Sequence, residues 1–373
     1  MGKTKVLECI RQGQIGGGES HLLDIIAHID KEKYNPIVLS FSDGPMIDAL
    51  NQMKIENYVI PSKRAFDFSV FTRVRKLLID LNVSIIHVHG TRANSNIVRV
   101  AKSLQIPLVY TIHGWSFHPD QNFFKRKLRI LGEKYLTSKS DFNISVSESN
   151  KLTGQKLIKG FNSEVINNGI NQFKFNPQRK FLDIRKEQGL SVDDIIVLFL
   201  ARFTGHKQPL ILIEAFSKAV QKNKKLHLLM VGEGDQKVEG IKLVDKLKIK
   251  EKVTFLPFRT DVPDILSASD IYVLPSLWEG LPIGLLEAMA MGKAVIGSNV
   301  DGTCEIIDNS INGFLIDKEN LVKGVEEKIA LLGSSKKLRE DLGKNAIKTI
   351  STKYDATEMT RKIEKVYTKL IKK

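Results

Sequence analysis

Hydrophobic residues along this chain fall into short unbroken runs, each followed by a glycine-rich or polar turn and then by a longer segment with apolar residues at helical spacing. Runs such as Ile195-Ile-Val-Leu-Phe-Leu200 and Leu226-His-Leu-Leu-Met-Val231 show no inside-outside alternation, which predicts strands covered on both faces. Their alternation with helices predicts an α/β fold of parallel sheets wrapped by helices. A first series of strands is predicted near Lys5 to Ile10, Pro36 to Phe41, Tyr58 to Pro61, Ser84 to Val88, Leu108 to Ile112, Phe142 to Val146 and Val165 to Asn167, with a helix from Gly18 to Ile29. A second series is predicted near Ile195 to Leu200, Leu226 to Val231, Val253 to Leu256, Ile271 to Leu274, Ala294 to Ile296 and Gly313 to Ile316. The final segment, Ala356 to Ile371, places Met359, Ile363, Val366 and Leu370 at helical spacing.

A chain of 373 residues exceeds what one core usually supports and suits two domains. The expected division is residues 1–171 and 193–352, joined by a polar linker over 172–192 that contains Asn176-Pro177, with 353–373 as a closing helix. With 42% hydrophobic and 27% charged residues the chain can bury sizeable cores and lacks the composition of a disordered protein. No stretch of 18 apolar residues occurs, and the opening segment lacks the apolar core of a signal peptide, so a cytoplasmic protein is expected. Cys9 lies in a predicted strand and Cys304 in a loop of the other domain, which argues against a disulfide framework or a zinc site.

The most informative chemistry is in Glu279-Gly-Leu-Pro-Ile-Gly-Leu-Leu-Glu287, two carboxylates with seven residues between them. Asp270-Ile-Tyr-Val-Leu-Pro275 reads as a buried strand. Pro282 suits the first helical position, and Leu285, Leu286, Met289 and Ala290 follow at helical spacing. Glu279 then sits in the loop and Glu287 in the first turns of the helix. The backbone N–H groups between them favour a phosphate, whereas the carboxylates accept hydrogen bonds from sugar hydroxyls. A polyol joined to a phosphate fits both. Arg202 and Lys207 follow the strand Ile195 to Leu200 and suit a diphosphate; ligands collect at the carboxyl ends of parallel strands.

Four segments occur in order: Gly16-Gly-Gly-Glu19, Thr111-Ile-His113-Gly, Arg202 with Lys207, and Glu279 with Glu287. Through them the chain resembles, over nearly its whole length, the retaining glycosyltransferases that carry the Glu-x7-Glu motif, glycosyltransferase family four or "glycosyl transferases group 1". The resemblance implies the GT-B fold, two Rossmann-like doubly wound domains facing across a crevice, with the acceptor on the first, the nucleotide-sugar on the second, and the last helix crossing back onto the first. It implies that Arg202 and Lys207 neutralise the donor diphosphate and that Glu287 binds the ribose. Glu279 would contact donor-sugar hydroxyls, helped by the segment Gly280, Leu281, Pro282 and Ile283, with Gly232 near the nucleotide. Gly17 would let backbone approach the diphosphate or acceptor. His113 would sit at the reaction centre against donor sugar or acceptor, with Gly16, Gly17 and His89 on the acceptor side. Three positions depart from the family pattern: Ala201, Gln208 and Asp301 stand where glycines are usual, leaving Gly302 and Glu305 in place.

The implied reaction is sugar transfer from a nucleoside-diphosphate donor, UDP- or GDP-linked, to an acceptor hydroxyl by front-face attack with retention, in surface polysaccharide or glycolipid synthesis. No Asp-x-Asp motif accompanies the site, so neither metal nor other cofactor is expected. The alternatives are a nucleotide-sugar 2-epimerase or a phosphorylase of the same fold, or a catalytically silent partner protein.

Residues 61–140 hold 14 Lys and Arg against 4 Asp and Glu, a net +10 of the chain's +15. Within them, Phe123 to Leu136 mixes Phe123, Phe124, Leu128, Leu131 and Leu136 with cations, suiting either an anionic membrane surface, the inner face of the cell membrane, or a half-buried helix with a solvated basic side. An acceptor that is a lipid-linked saccharide follows from the first reading. No nucleic-acid motif accompanies the basic region. His87 and His89, alternating at a strand end, are expected on opposite faces and so to be poor joint metal ligands.

Overall fold

The computed structural model describes residues 2–118 and 120–372 and builds them into two parallel sheets with helices on both faces. The chain divides into two compact units, Met1–Gly169 with Ala356–Lys373, and Ile170–Asp355.

In the first unit β1 (Thr4–Ile10), α1 (Gly17–His28), β2 (Tyr34–Ser40), α2 (Pro45–Gln52), β3 (Asn57–Val59), α3 (Phe71–Asp80), β4 (Ile85–His89), α4 (Thr91–Ser103), β5 (Leu108–Ile112), α5 (Phe123–Lys139), β6 (Phe142–Ser145), α6 (Glu148–Leu157) and β7 (Glu164–Val165) follow one another. The strand order is β3-β2-β1-β4-β5-β6-β7, all neighbours parallel. The second unit contains α7 (Ile184–Glu187), β8 (Ile195–Leu200), α8 (Pro209–Lys222), β9 (Leu226–Val231), α9 (Lys237–Lys246), β10 (Val253–Leu256), α10 (Val262–Ala268), β11 (Ile271–Leu274), α11 (Ile283–Ala290), β12 (Ala294–Ser298), α12 (Thr303–Ile306), β13 (Phe314–Ile316), α13 (Leu321–Ser334) and α14 (Lys336–Lys353). Its order is β10-β9-β8-β11-β12-β13, again parallel throughout. In both sheets the order reverses beside the first strand, at β1/β4 and at β8/β11. Successive connections leave for opposite faces there and open a crevice at the strands' carboxyl ends. The predicted strands appear in both series, with ends shifted by a residue or two.

Side-chain alternation sorts the first sheet into two cores. Leu7, Cys9, Ile86, Val88, Leu108 and Tyr110 face α3, α4 and α5, whereas Val6, Ile85, Val109 and Ile144 face α1 and the closing helix α15 (Ala356–Ile371). Met359, Ile363, Val366, Tyr367 and Leu370 of α15 are all buried there. The Glu364 carboxylate accepts the Asp30 N–H at 2.6 Å, and the Tyr34 hydroxyl donates to the Glu364 carbonyl at 3.2 Å. In the second unit, Val197, Phe199, Leu228, Met230, Val273 and Ile296 pack under α8 and α13. Residues 170–192 belong to this unit: Phe175 and Ile184 are buried, and Arg185 pairs with Asp270 at 2.8 Å. The turn after β9 approaches the end of β8 closely. Gly232 has φ +139°, and a Cβ there would lie 2.2 Å from the Ala201 carbonyl oxygen, so no other residue fits without moving backbone.

The fully buried Ile363 makes α15 an integral part of the first core. Ile363→Ala is expected to destabilise the first unit by about 2–5 kcal/mol, whereas exposed Lys362→Ala should change it by less than about 0.5 kcal/mol. Urea unfolding followed by the fluorescence of Trp115, which is buried in this unit, measures both.

Candidate functional site

In the second unit the site is built on the two loops that leave β8 and β11 on either side of the switch point. Three ties hold them together. The Leu277 N–H donates to the His206 carbonyl at 2.8 Å, the His206 and Trp278 rings stack with centroids 5.4 Å apart, and Lys207 Nζ forms an ion pair with Glu279. Lys207 and Glu279 side chains are only 16% and 10% exposed, so little solvent screens their attraction. Arg202 is exposed one turn earlier. Glu287 is 8% exposed in α11. Both Glu279 and Glu287 lie close enough to the buried Tyr272 that, after burial itself, their charges push its hydroxyl's pKa far up. The sequence-predicted carboxylates therefore converge around one tyrosine.

Pro282 adopts extended backbone just before α11, so the helix starts at Ile283, one residue later than expected. Leu281, Pro282 and Ile283 are buried. Gly302 packs against Gly280 so tightly that a Cβ would lie 1.9 Å from the Gly280 carbonyl oxygen. Two departures from the glycine pattern have left-handed backbone, Gln208 at φ +53° and Asp301 at φ +34°, a region where glycine is the relaxed choice. Asp301 compensates by accepting the Glu279 N–H at 3.2 Å. Burial, and the neighbouring Glu279 and Glu305 charges, raise the Asp301 pKa. Cys304 lies in the short helix α12 rather than a loop.

In the first unit the site gathers at β1/β4. Strand register sets Glu8 beside His87 and His89 beside Thr111. His87 and His89 share a face, contrary to expectation, because residues two apart on a strand point the same way. Their rings lie 4.3 Å apart by centroid and both meet the fully buried Glu8, at 3.2 Å from His87 Nδ1 and 2.8 Å from His89 Nε2. The Tyr367 hydroxyl from α15 donates to Glu8 Oε1 at 2.7 Å, and His87 also contacts that hydroxyl at 2.6 Å and Thr111 Oγ1 at 2.7 Å. Burial opposes charge on Glu8, yet His87 and His89 together hold its carboxyl far below the usual range.

His113, next on the same face, contacts His89 Nδ1 through its Nε2 at 3.1 Å. His21 of α1 meets the His113 ring edge-on at 4.8 Å. Burial pushes the His89 pKa down to about 4, with His87 adding to the effect; burial also pushes His21 and His113 well below the usual imidazole range. Neutral imidazoles are the outcome. The ligand atoms of His21, His89 and His113 lie within 4.8 Å of one another, as do those of Glu8, His87 and His89, a spacing at which such groups can share protons or a metal ion. The glycine loop ahead of α1 is held by its own residues: the Gly16 N–H donates to Glu19 Oε2 at 3.1 Å, and Gly17 opens the helix. Gly18 lies beside His113, where an added Cβ would sit 3.6 Å from its Cδ2.

Sequence reasoning missed Glu8, His21, Tyr367, His206 and Trp278. Glu8 carried a signal, a lone carboxylate inside the apolar run Val6-Leu-Glu-Cys-Ile10. The others read as ordinary helix or loop residues.

Comparison with known proteins agrees with this layout. Residues 15–172 match the family model Glycosyltransferase Family 4 and residues 180–349 the model Glycosyl transferases group 1. The N,N'-diacetylbacillosaminyl-diphospho-undecaprenol alpha-1,3-N-acetylgalactosaminyltransferase of Campylobacter jejuni is 32% identical over 81% of this chain and 81% of its own length. The UDP-Gal:alpha-D-GlcNAc-diphosphoundecaprenol alpha-1,3-galactosyltransferase of Escherichia coli is 25% identical over 92% of this chain and 91% of its own. Among solved structures, Anabaena HepE in complex with UDP and glucose superposes with TM-score 0.86 at 22% identity, covering 98% of this chain and 100% of HepE. WaaG, a glycosyltransferase involved in lipopolysaccharide biosynthesis, gives 0.78 at 18% identity, covering 97% of this chain and 99% of WaaG. With both family models in order along the sequence, and a relative one-third identical across four-fifths of it, the chain belongs to the glycosyltransferases of family 4, group 1, on two doubly wound parallel-sheet domains of GT-B type.

Proposed function

We propose that this glycosyltransferase moves a sugar from a nucleoside-diphosphate sugar to a hydroxyl of a lipid-linked saccharide with retention of anomeric configuration, in surface polysaccharide or glycolipid assembly at the inner face of the cell membrane. The observation that carries the reading is the switch-point cluster of the second unit, where Lys207, Glu279, Glu287 and the start of α11 supply a cation, two hydroxyl acceptors and amide donors together. The bond between anomeric carbon and phosphate oxygen breaks as the acceptor oxygen bonds to the same face of that carbon, and the acceptor proton passes to the leaving phosphate. Charge grows on that phosphate, so Arg202, Lys207 and the helix-start amides supply the main stabilising field, without a metal. UDP is the favoured nucleotide, since it appears in the name of the Escherichia coli relative and in the HepE complex; GDP is the alternative. The two relatives with undecaprenol-linked acceptors support a lipid-linked acceptor, and the alpha linkage in their names supports retention. An epimerase reading finds no support among these transferases.

Helix α5 favours membrane contact on its own structure. Phe123, Phe124, Leu128 and Leu131 are 68%, 79%, 71% and 54% exposed, while Glu133, Leu136 and Thr137 are buried on the opposite side. Lys125, Lys127 and Lys134 flank the apolar stripe and are exposed, whereas Arg129 is tied to the Ser116 carbonyl. Among the described residues no helix is long and apolar enough to cross a membrane. The protein would then rest on an anionic surface through this stripe.

Transfer to undecaprenyl-diphosphate-linked N-acetylglucosamine from a panel of UDP- and GDP-linked hexoses and N-acetylhexosamines, with the product anomer read by NMR, tests the activity. Beta-linked product, or donor consumption independent of any acceptor, removes the retaining-transferase reading. Arg202→Ala with Lys207→Ala should lower turnover by about 10²-fold or more in a folded protein.

Glu287→Ala should weaken binding of free UDP, whereas Glu279→Ala should spare UDP and weaken the sugar-dependent part of donor binding. Calorimetry with UDP and with the full donor separates the two, and equal losses for both ligands in both variants would remove this division of roles.

Flotation with phosphatidylglycerol vesicles at low and high salt tests the membrane contact. Each exposed cation should contribute roughly 1 kcal/mol near the surface, so Lys125→Gln, Lys127→Gln and Lys134→Gln together should release the protein with donor binding unchanged. A wild-type protein that stays in solution at low salt ends the proposal.

A further inference from the structure

The buried carboxylate of Glu8 does more than satisfy its neighbours, because the protons around it can be assigned from geometry. Glu8 Oε1 receives the Tyr367 hydroxyl at 2.7 Å, and Oε2 faces His89 Nε2 at 2.8 Å and His87 Nδ1 at 3.2 Å. The Tyr367 hydroxyl donates to one oxygen, and the two buried histidines against the other hold the carboxyl far below its usual range despite burial, so Glu8 is ionised and accepts only. The hydrogen on His89 is therefore on Nε2. A neutral imidazole carries one N–H, so His89 Nδ1 is a bare lone pair. His113 Nε2 lies 3.1 Å from that lone pair and has to be the donor. The same rule applied to His113 leaves its Nδ1 without a hydrogen.

We propose that Glu8 is a positioning residue which, acting through His89, holds His113 as the Nε2–H tautomer and presents His113 Nδ1 as a hydrogen-bond acceptor at the carboxyl end of the first sheet. The inference rests on the proposed transfer reaction for its functional consequence: a bare nitrogen there receives a hydrogen bond from a sugar or acceptor hydroxyl. Without the charge on Glu8 the relay reverses. His89 can carry its hydrogen on Nδ1, donate to His113 Nε2, and turn His113 Nδ1 into a donor that no longer accepts from a hydroxyl. The same two rings, with the same heavy-atom positions, then offer the opposite polarity. Tyr367 makes α15 part of this device, since its hydroxyl occupies the second oxygen of Glu8 and leaves Oε2 to the histidines. Burial, which keeps both His89 and His113 neutral, is what allows each ring a single hydrogen.

Two-bond proton–nitrogen correlation spectra of the full-length enzyme labelled with nitrogen-15 histidine distinguish the tautomers, with His113→Asn and His89→Asn spectra supplying the assignments. The wild-type protein is expected to show both His89 and His113 as Nε2–H tautomers with no substrate added. A His113 signal of the Nδ1–H or doubly protonated form overturns the proposal, whatever reaction the enzyme catalyses. Glu8→Gln, which keeps the shape and the oxygen facing Tyr367 but removes the charge and sets an amide N–H donor against His89 Nε2, should shift both rings toward Nδ1–H and lower kcat for nucleotide-diphosphate release from the donor panel by about 10²-fold, with UDP affinity unchanged. Glu8→Gln with wild-type tautomers and wild-type kcat also overturns it. Tyr367→Phe should keep the wild-type tautomers, because the His89–Glu8 bond remains; loss of the Nε2–H form in Tyr367→Phe assigns the control to α15 and refutes the role given to Glu8.

Discussion

Parallel strands send all their carboxyl ends to one edge of a sheet, and a reversal of strand order there parts the connections to opposite faces. Both units of this chain obey that constraint, at β1/β4 and at β8/β11. Everything with chemical character follows from it. Glu8, His87, His89 and His113 lie on or just beyond the strands at the first reversal, and Arg202, Lys207, Glu279 and Glu287 on the loops and helix at the second. Neither set is contiguous in sequence. The sheet brings each together because adjacent parallel strands place distant residues in register, as with Glu8 and His87.

Charge taken out of water needs partners, and this requirement shapes the two sites differently. Glu8 has no solvent exposure, and an isolated buried carboxylate would cost several kcal/mol; it is stabilised by donors from β4 and α15. That demand ties the last helix of the chain to its first strand. In the second unit the Lys207–Glu279 pair is largely but not wholly withdrawn from solvent, which pre-sets both groups without a fully desolvated ion. On the proposed function, a diphosphate meeting Lys207 would compete with a carboxylate already in place, and the pair would orient the cation before the donor arrives.

Among the described residues eight non-glycine positions have left-handed backbone, and two of them flank the second of these sites. Gln208 and Asp301 hold left-handed conformations in the loops after β8 and β12. The explanation for Asp301 is its acceptor role toward the Glu279 amide. For Gln208 the structure offers only a short bond from its side chain to the Gly205 carbonyl, 2.5 Å. Helix α5 shows the complementary case, an apolar stripe left in solvent while its other face packs into the core, so amphipathicity alone did not decide which side was buried.

Fold class, both series of strands and the carboxylate, cation and glycine segments were legible in the amino-acid order, because buried parallel strands are written as unbroken apolar runs and phosphate and sugar chemistry demands particular residue types near helix starts. Glu279 and Glu287 stood out for the same local reason: their spacing brackets one strand-to-helix junction. What the order could not express was partnership across strands and helices. The shared face of His87 and His89, the role of Tyr367 near the far end of the chain, the stack of Trp278 on His206 and the capture of Lys207 by Glu279 all join positions whose separation in sequence says nothing about distance. Periodicity reports which way a side chain leaves its own element, whereas the polar groups it meets are set by sheet register and helix docking, and these exist only once the chain has folded.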